Sequence, residues 1–461
     1  MAMMRRTIAA MLLLQVLLTA GIGRADQLRS APARIEKLRK RDAVVRVLDQ
    51  DGRPLQGPVR VEMKRHQFLF GCNLFMFDKM PSAEQNERYL KLWTDLFNYA
   101  TLPFYLALYQ PTPVETHEAE LLKMAQWCAR NGIKAKGHPL IWHFPGSVPA
   151  WLPADVPAVE KIYLDRIRDL IPRFAPEIQY WDVLNEPTVA WMYDTPVGRW
   201  ENLAGPLAVT RDALQAARRA GPRATLLVND YNVKTGLWSV LDFLHPLRAL
   251  RNALDPVNHY AKSFYRFLAD LKRQGGDYDA LGIQSHMHMG GNWPMSELWR
   301  TCERYARLGV PIHFTEVTVL SGRHKIMWPF NPEVNLPWPS TPSGEAGQAQ
   351  YVEEFYTLLF SHPAVEAITW WDFTDYNAWM GAPAGLVYAD LSPKPAYEKL
   401  RALVRQTWWT DFQTESQADG TVAFRGFCGD YVLHLPEPVA AMPFAIDCHR
   451  PNGQTITLQG K

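Results

Sequence analysis

Short apolar runs alternate with longer amphipathic segments along most of the chain. Eight of these runs are typical of buried strands: FLFGCNL, FNYATLP, IKAKGHPL, IQYWDVLN, TLLVND, ALGIQSH, PIHFTE and AITWWD. Segments with helical spacing separate most of them, such as VEKIYLDRIRDLIPRF and EAELLKMAQWCARNG, which ends in a glycine stop signal. A strand–helix unit repeated eight times predicts an α/β fold of the (β/α)8 TIM barrel type. A doubly wound sheet is the alternative.

Strand patterns also occur at both ends of the chain. VVRVLD and VRVEMK lie near the N-terminus, and TVAFRGF, DYVLHLP, PFAIDC and QTITLQ lie near the C-terminus. Because small groups of strands are marginal alone, we expect residues 26–65 and 406–461 to join into one accessory β-sandwich. The barrel then spans residues 66–405. A C-terminal sheet that stands alone is the alternative.

The first residues have the pattern of a signal peptide. Met1–Arg6 is positively charged, Thr7–Ile22 is apolar, and Gly23 and Ala25 are the small residues expected before a cleavage site. The apolar run is short for a membrane span. The pattern predicts cleavage after Ala25 and a secreted or periplasmic protein that has no membrane contact afterwards. An uncleaved anchor is the alternative.

Composition excludes one class of partner and leaves others open. The 49 basic and 47 acidic residues give a net charge of +2, which argues against a nucleic-acid partner. The 17 tryptophans and 18 tyrosines suit either a packed core or the apolar faces of sugars. Cys428 and Cys448 flank two C-terminal strands and are candidates for a disulfide. Oligomeric state is not predicted.

Polar side chains end nearly every predicted barrel strand. They are Asn98, His138, Asn185, Glu186, Asn229, Asp230, Gln284, His286, Glu316 and Asp372. Active sites of this fold lie at the C-terminal ends of the strands, so the set predicts one polar pocket. The alternative for each single residue is a cap on the following helix.

Glu186 and Glu316 suggest a particular chemistry. They end the predicted fourth and seventh strands and would face each other across the barrel mouth. Two opposed carboxyl groups are what glycoside hydrolysis requires, about 5.5 Å apart where configuration is retained. His286 ends the neighbouring strand and could keep Glu316 charged, which favours Glu316 as nucleophile and Glu186 as acid/base.

Several motifs together resemble glycoside hydrolase family 10, the retaining endo-β-1,4-xylanase family. They are GHPLIWH (137–143), WDVLNEP, VNDYN (228–232), GIQSH (282–286), HFTE (313–316), WWDFTD with Trp379, and SPKPAY (392–397). They follow in the family's order between Phe68 and Tyr397. The resemblance implies a secreted hydrolase that acts on a polysaccharide or oligosaccharide, xylan in the first place, without metal or other cofactor.

The resemblance also implies individual roles. Glu186 corresponds to the acid/base and Glu316 to the nucleophile. The implied substrate-binding residues are His138, Trp142, His143, Asn185, Tyr231, Gln284, His286, Trp371 and Trp379. Asn185 would bind the sugar 2-hydroxyl, Gln284 and His286 would support the acid/base and the nucleophile, and the tryptophans would wall the sugar pocket. Tyr231 would lie on the leaving-group side.

The chain departs from the family where xylose is gripped. After strand two the family carries a Glu-Asn…Lys-Trp run on the non-reducing side, whereas TLPFYLALYQP stands here. Pro103, Phe104, Ala107 and Leu108 occupy those positions, and loss of hydrogen-bonding partners weakens recognition of hydroxyls. Thr318 stands where an aspartate is expected. A retaining β-glycosidase for another polysaccharide or β-glycoside is therefore the alternative.

Other classes of function stay open at this point. A non-catalytic carbohydrate-binding protein would fit the altered sugar grip. A metal-dependent hydrolase would use His286 and His288, with His138 and His143 on a nearby strand. The proline-rich segment from Ser321 to Gly344 follows strand seven, so we expect it to overhang the site.

Overall fold

The computed structural model describes residues 27–233, 264–288, 291–324, 337–435 and 441–459. The predicted leader and cleavage site therefore lie outside the described residues, as does the part of the proline-rich segment that contains Trp328. Within the described ranges, no helix is both long enough and apolar enough to cross a membrane.

Eight parallel strands close into a barrel, which confirms the predicted fold. In chain order they are β3 (Leu69–Asn73), β4 (Tyr99–Pro103), β5 (Lys134–His138), β6 (Tyr180–Asn185), β7 (Thr225–Asp230), β8 (Ala280–His286), β9 (Ile312–Thr318) and β10 (Val365–Trp370). Each pairs with the next, and β10 pairs with β3 to close the ring. All eight predicted strands are present. Nearly every strand residue is buried, because the strands pack inward on the barrel core and outward on helices.

The helices of the described residues surround the barrel or precede it. They are α1 (Ala31–Arg39), α2 (Ala83–Leu96), α3 (Leu106–Tyr109), α4 (Glu118–Arg130), α5 (Val156–Phe174), α6 (Pro196–Ala204), α7 (Pro206–Ala220), α8 (Phe264–Arg273), α9 (Met295–Ala306), α10 (Pro342–Phe360) and α11 (Pro395–Ala402). Side-chain caps begin several of them: Ser82 accepts from the amide of Gln85, and Asp155 accepts from that of Ala158. These side chains accept hydrogen bonds from backbone amides that the first turn of each helix leaves without a partner.

The terminal strands combine into two further sheets. The strands are β1 (Lys40–Leu48), β2 (Pro58–His66), β11 (Asp411–Glu415), β12 (Thr421–Phe427), β13 (Gly429–His434), β14 (Met442–Ile446) and β15 (Gln454–Gln459). One sheet has the order β12–β1–β15 and the other β11–β2–β13–β14. Each sheet thus contains one N-terminal strand, so the two ends of the chain join as expected. Phe424 of one sheet contacts the rings of Phe412 and Tyr431 of the other, at 5.3 and 6.1 Å.

Two terminal elements differ from the sequence-based expectation. Residues 31–39 form a helix in a stretch where only strands were predicted, and β11 was not predicted at all. At the end of α1, the Arg39 guanidinium donates to the carbonyl oxygens of Phe360, His362 and Val365, at 2.7 to 2.8 Å. These barrel contacts are long-range, so no local pattern announces them. The helix thereby fixes the N-terminal region against the barrel.

The cysteines divide between a disulfide and the core. Cys428 and Cys448 are bonded to each other, with their Cα atoms 5.5 Å apart. The bond joins the residue before β13 to the segment that follows β14. The other three cysteines, Cys72, Cys128 and Cys302, are buried free thiols, as expected for small core residues.

Candidate active site

Glu186 occupies a tight turn at the C-terminal end of β6. Its backbone is left-handed (φ 61°, ψ 42°), which is uncommon for a residue with a side chain. Its amide donates to the carbonyl oxygen of Asn229 on the next strand at 2.7 Å, and Pro187 starts a short 3-10 helix after it. Such local strain persists only where the surroundings hold it, and it is concentrated at functional sites.

Three side chains donate hydrogen bonds to the Glu186 carboxyl group. Trp142 Nε1 donates to Oε2 at 3.0 Å, and Gln284 Nε2 donates to Oε1 at 3.0 Å. Asn185 Nδ2 donates to the same Oε1 at 3.3 Å. The carboxyl group is therefore held in one orientation by neutral donors.

Glu316 lies in β9 and has a different set of neighbours. Asn229 Nδ2 donates to Oε1 at 2.6 Å, and His286 Nε2 lies 2.9 Å from Oε2. His138 Nε2 is 3.8 Å from Oε1. The other nitrogen of His286 lies 2.8 Å from the hydroxyl of Thr318, so a neutral group stands where the family resemblance led us to expect an aspartate.

Two amide side chains connect the carboxyl groups. Asn229, which bonds Glu316, also donates to Asn185 Oδ1 at 2.8 Å. Gln284, which bonds Glu186, donates to the same oxygen at 3.2 Å. The structure thus brings both glutamates into one continuous hydrogen-bond network, and both are more than nine-tenths buried.

The surroundings push the two carboxyl groups toward opposite protonation states. Burial raises the pKa of Glu186 to about 7, although the charge of His143 and the hydrogen bond from Gln284 oppose it. Burial also acts on Glu316, but the hydrogen bond from His286 and the charges of His138 and His286 outweigh it and hold the pKa of Glu316 below its usual value. Near neutral pH, Glu186 can keep a proton while Glu316 is ionised.

An ion pair that is buried in the barrel fixes the orientation of the His138 ring. Asp182 Oδ2 lies 2.7 Å from both Lys136 Nζ and His138 Nδ1, and all three side chains are buried. Burial opposes the charge of Asp182, but Lys136 and the hydrogen bond from His138 keep its pKa low. Since the carboxylate accepts, Nδ1 of His138 carries the hydrogen, and its Nε2 faces Glu316.

His143 stands one layer behind the other predicted residues. It is fully buried, and its Nδ1 lies 3.0 Å from Glu201 Oε1. Burial disfavours its charge, yet the Glu201 carboxylate raises the pKa of His143 above its ordinary value. His143 therefore acts on Glu186 through its charge and not through a hydrogen bond.

The predicted aromatic residues border the two carboxyl groups. Trp371 is almost fully buried, and its ring contacts those of His138 and His286 at 5.6 and 5.7 Å. Trp379 is 44% exposed, and its ring lies 4.6 Å from that of His286. Tyr231 is close enough to Glu186 to be affected by its charge: burial first, then this charge, raises the pKa of the Tyr231 phenol.

Sequence reasoning missed several residues of this site. Asn229 was noted only as a strand end, and Lys136, Asp182, Glu201 and Tyr105 were given no role. Tyr105 follows β4, and its ring contacts those of His138 and Trp142 at 5.4 and 5.6 Å. The signal for Asn229 was its place in VNDYN; for the others, only spatial contact identifies them.

No metal site emerges from this arrangement in the part of the chain that the structure describes. Within those ranges, no group of three or more His, Cys, Asp or Glu side chains is placed to hold an ion. His288 packs edge-on against Trp379, with ring centroids 4.8 Å apart. His286, the other member of the pair, lies against Glu316 and Thr318.

The structure combines a parallel eight-stranded barrel with two carboxyl groups near the C-terminal ends of two strands. This combination defines a class of protein suited to acid–base chemistry on a bound substrate. The sequence profile of glycosyl hydrolase family 10 matches residues 117–403. That match covers more than half of the chain, and the chain belongs to this family.

Individual relatives are distant. The anti-sigma-I factor RsgI6 of Acetivibrio thermocellus is 25% identical over 429 residues, which cover 92% of this chain and 48% of that protein. Endo-1,4-beta-xylanase 1 of Arabidopsis thaliana is 24% identical over 420 residues, covering 90% of this chain and 38% of the plant protein. The chain thus spans about half or less of the length of these two relatives.

Solved structures share the fold. Xylanase 10B of Thermotoga petrophila RKU-1, crystallised with xylobiose, superposes with a TM-score of 0.55 at 20% identity. The superposition covers 74% of this chain and 95% of the xylanase. At this identity the likeness concerns the barrel alone.

Proposed function

We propose that this chain hydrolyses β-1,4-glycosidic bonds with retention of configuration, with xylan as the substrate class. In the first step, ionised Glu316 attacks the anomeric carbon while Glu186 gives its proton to the leaving oxygen. The glycosidic bond breaks, and an ester forms between the sugar and Glu316. In the second step, Glu186 removes a proton from water, which attacks the same carbon and releases Glu316.

The single observation that carries this proposal is the contrast between the two carboxyl groups. Retaining hydrolysis needs one protonated and one ionised carboxyl at the same pH. The pKa of Glu186 is raised to about 7, whereas that of Glu316 is lowered, and one amide network holds both. A protein that only binds carbohydrate has no use for this difference.

Xylan is proposed because several relatives, including the Arabidopsis protein, are named endo-1,4-beta-xylanases. A second candidate is a different polysaccharide or β-glycoside, and one observation favours it. Phe104, which stands in the family's xylose-gripping segment, is fully buried with its ring against Phe174 and Trp181, at 5.0 and 4.9 Å. That position therefore contributes to the core and offers no hydrogen bond to a sugar.

Product analysis on a panel of xylans and β-glucans tests the proposal. We expect hydrolysis of xylan with β-configured products by proton NMR, and loss of activity by roughly 10⁵-fold or more in Glu316→Ala. Activity that survives Glu316→Ala unaltered would overturn the nucleophile assignment.

Azide separates the two roles, because it can replace the missing nucleophile Glu316, or replace the water that a missing Glu186 can no longer activate. With Glu316→Ala and an activated aryl glycoside, azide should attack the anomeric carbon of the intact glycoside, displace the aryl group and give the α-glycosyl azide. With Glu186→Ala, azide should attack the glycosyl ester and give the β-glycosyl azide. The reverse pattern would exchange the roles of the two residues.

A further inference from the structure

Four rings at the barrel mouth contact each other in a closed circuit. Trp371 contacts Phe75 at 5.4 Å, Phe75 contacts Tyr105 at 6.0 Å, Tyr105 contacts His138 at 5.4 Å, and His138 contacts Trp371 at 5.6 Å. Every contact is edge-to-face, with interplanar angles of 76° to 86°. These four residues are called the aromatic wall below.

The wall stands on consecutive strands of the barrel. Trp371 follows β10, Phe75 follows β3, Tyr105 follows β4, and His138 ends β5, and these strands are neighbours in the closed sheet. These four strands make half of the rim, which includes the segment after strand two, where the family resemblance places the grip on the non-reducing sugars. Glu186, which would protonate the leaving group, follows β6 beyond the end of the wall.

The ring spacing leaves no passage through the wall. A sugar ring between two side chains needs about 3.5–4 Å on each face, or roughly 7 Å between the flanking atoms. Rings in edge-to-face contact at 5.4 to 6.0 Å are already in van der Waals contact. No sugar ring therefore fits between neighbouring members of the aromatic wall.

Besides His138, two members of the wall carry a group that can donate to a sugar hydroxyl: the phenol of Tyr105 and the indole N–H of Trp371. Burial, then the charges of Glu316 and Glu186, raises the pKa of Tyr105 well above its usual value, so the phenol stays protonated and can donate. The donor lies on the side of the site where the family's polar grip is missing.

We infer that the aromatic wall closes the non-reducing side of the site after one sugar unit, so that the enzyme removes single units from the non-reducing end of a chain. This inference rests on the proposed function and adds the mode of attack. Phe75 and Tyr105 are the specificity-determining residues, because they fill the space that a second sugar would need.

The test uses xylohexaose labelled at its reducing end, with products followed over time by mass spectrometry. We expect the wild-type protein to release xylose and labelled chains that shorten one unit at a time. Release of single units should exceed release of longer fragments by roughly tenfold or more, because a clash discriminates strongly. Wild-type release of xylobiose or xylotriose as the main unlabelled product overturns the inference.

Two variants test whether the aromatic wall causes the release of single sugar units. Phe75→Ala/Tyr105→Ala removes half of the wall and should shift the unlabelled products toward xylobiose and xylotriose. Val114→Ala is the control, since Val114 also lies in the chain segment that follows β4, is 93% exposed and is not one of the four rings; its products should equal those of the wild type. A double variant that is folded by circular dichroism and still releases only single xylose units would remove the wall as the cause.

Failure of the two proposals can be told apart. Hydrolysis of the labelled chain at internal bonds is compatible with the proposed function. It overturns the inference that the non-reducing side of the site holds only one sugar unit. Absence of hydrolysis on every xylan, β-glucan and aryl β-glycoside of the panel overturns the proposed function, and the inference with it.

Discussion

Glu186 and Glu316 are the same residue type at similar depth, and the groups around them set the difference in their protonation. Glu186 receives hydrogen bonds from the neutral groups of Trp142, Asn185 and Gln284, so the cost of burying a charge dominates. Glu316 has two imidazoles close by, which favour its charged form. Apart from Asn185, the groups that create this contrast are distant from the two glutamates in the sequence and close to them only in space.

The first prediction concerns pH. Glu186 must be protonated to act as an acid, so kcat/KM should fall as pH rises through about 7. Glu316 must be ionised, and since its pKa lies below the ordinary 4.5, the acid limb should lie below that value. The measurement is kcat/KM against pH on a substrate with a poor leaving group. An alkaline limb that persists unchanged with a leaving group needing no proton would speak against Glu186 as its source.

The second prediction concerns Asn229, which donates to Glu316 and to Asn185. Asn229→Ala removes both bonds, and kcat/KM should drop roughly 10²-fold, as for other donors to a reacting group. Asn229→Asp is the matched variant: a second carboxylate beside Glu316 raises the pKa of the pair and should move the acid limb of the pH profile upward. If the acid limb of the pH profile lies at the same pH in Asn229→Asp and in the wild type, the contact between residue 229 and Glu316 is contradicted.

At the scale of elements, strands β5 and β6 carry much of the site. His138 ends β5, Glu186 follows β6, and the two strands pair through Lys136 and Gly137. Gly137 is required by packing and not by its backbone conformation. A Cβ atom there would lie 2.2 Å from the indole ring of Trp181.

The third prediction follows from this close approach. Gly137→Ala should lower the free energy of unfolding by about 1–3 kcal/mol, because the rigid Trp181 ring has to move within a packed core. The measurement is urea denaturation followed by tryptophan fluorescence, with kcat/KM measured alongside.

Gly347→Ala is the control for this substitution. Gly347 lies inside α10, where an added Cβ atom meets nothing within 4 Å. Because alanine favours helix, this variant should be neutral or up to about 1 kcal/mol more stable. Equal stabilities of the two variants would show that the Trp181 contact is not limiting.

At the scale of the whole molecule, the ends of the chain are tied together and to the barrel. Each terminal sheet pairs an N-terminal strand with C-terminal strands, and Arg39 bonds three carbonyl oxygens of the barrel region. The hydrophobic core runs without a break from the barrel into the sheets, through residues such as Val61, Phe427 and Leu433. The terminal sheets therefore brace the barrel from the side.

The fourth prediction concerns the disulfide in one of these sheets. Cys428 and Cys448 are separated by 20 positions, and opening a loop of this length should lower the free energy of unfolding by about 3 kcal/mol. The double variant Cys428→Ser/Cys448→Ser should therefore unfold at lower temperature in calorimetry. Its kcat/KM at low temperature should match the wild type, since the bond lies outside the barrel. A loss of activity with unchanged unfolding temperature would contradict both expectations.

The barrel could be predicted from sequence because its signals are local. Strand length, apolar runs, helix spacing and glycine stops are all properties of neighbouring residues, and the eight predicted strands are all present. The same pattern placed Glu186 directly after β6 and Glu316 near the end of β9, since every strand of this fold delivers its C-terminal end to one rim. The expectation for Asn98 was wrong: it precedes β4 and donates to the carbonyl oxygens of His66 and Phe68, before the start of β3. Helix α1 and strand β11 escaped prediction because distant contacts stabilise them.

Only the tertiary structure decided which side chains meet at that rim. The network through Asn229, the ion pair of Lys136 with Asp182, and the wall made by Phe75 and Tyr105 join residues from different strands. Protonation depends on burial and on charges a few ångströms away, and these distances exist only once the barrel is closed. The sequence by itself therefore determined the scaffold and the candidate carboxyl groups, whereas closure of the barrel determined their electrostatics and the shape of the space between them.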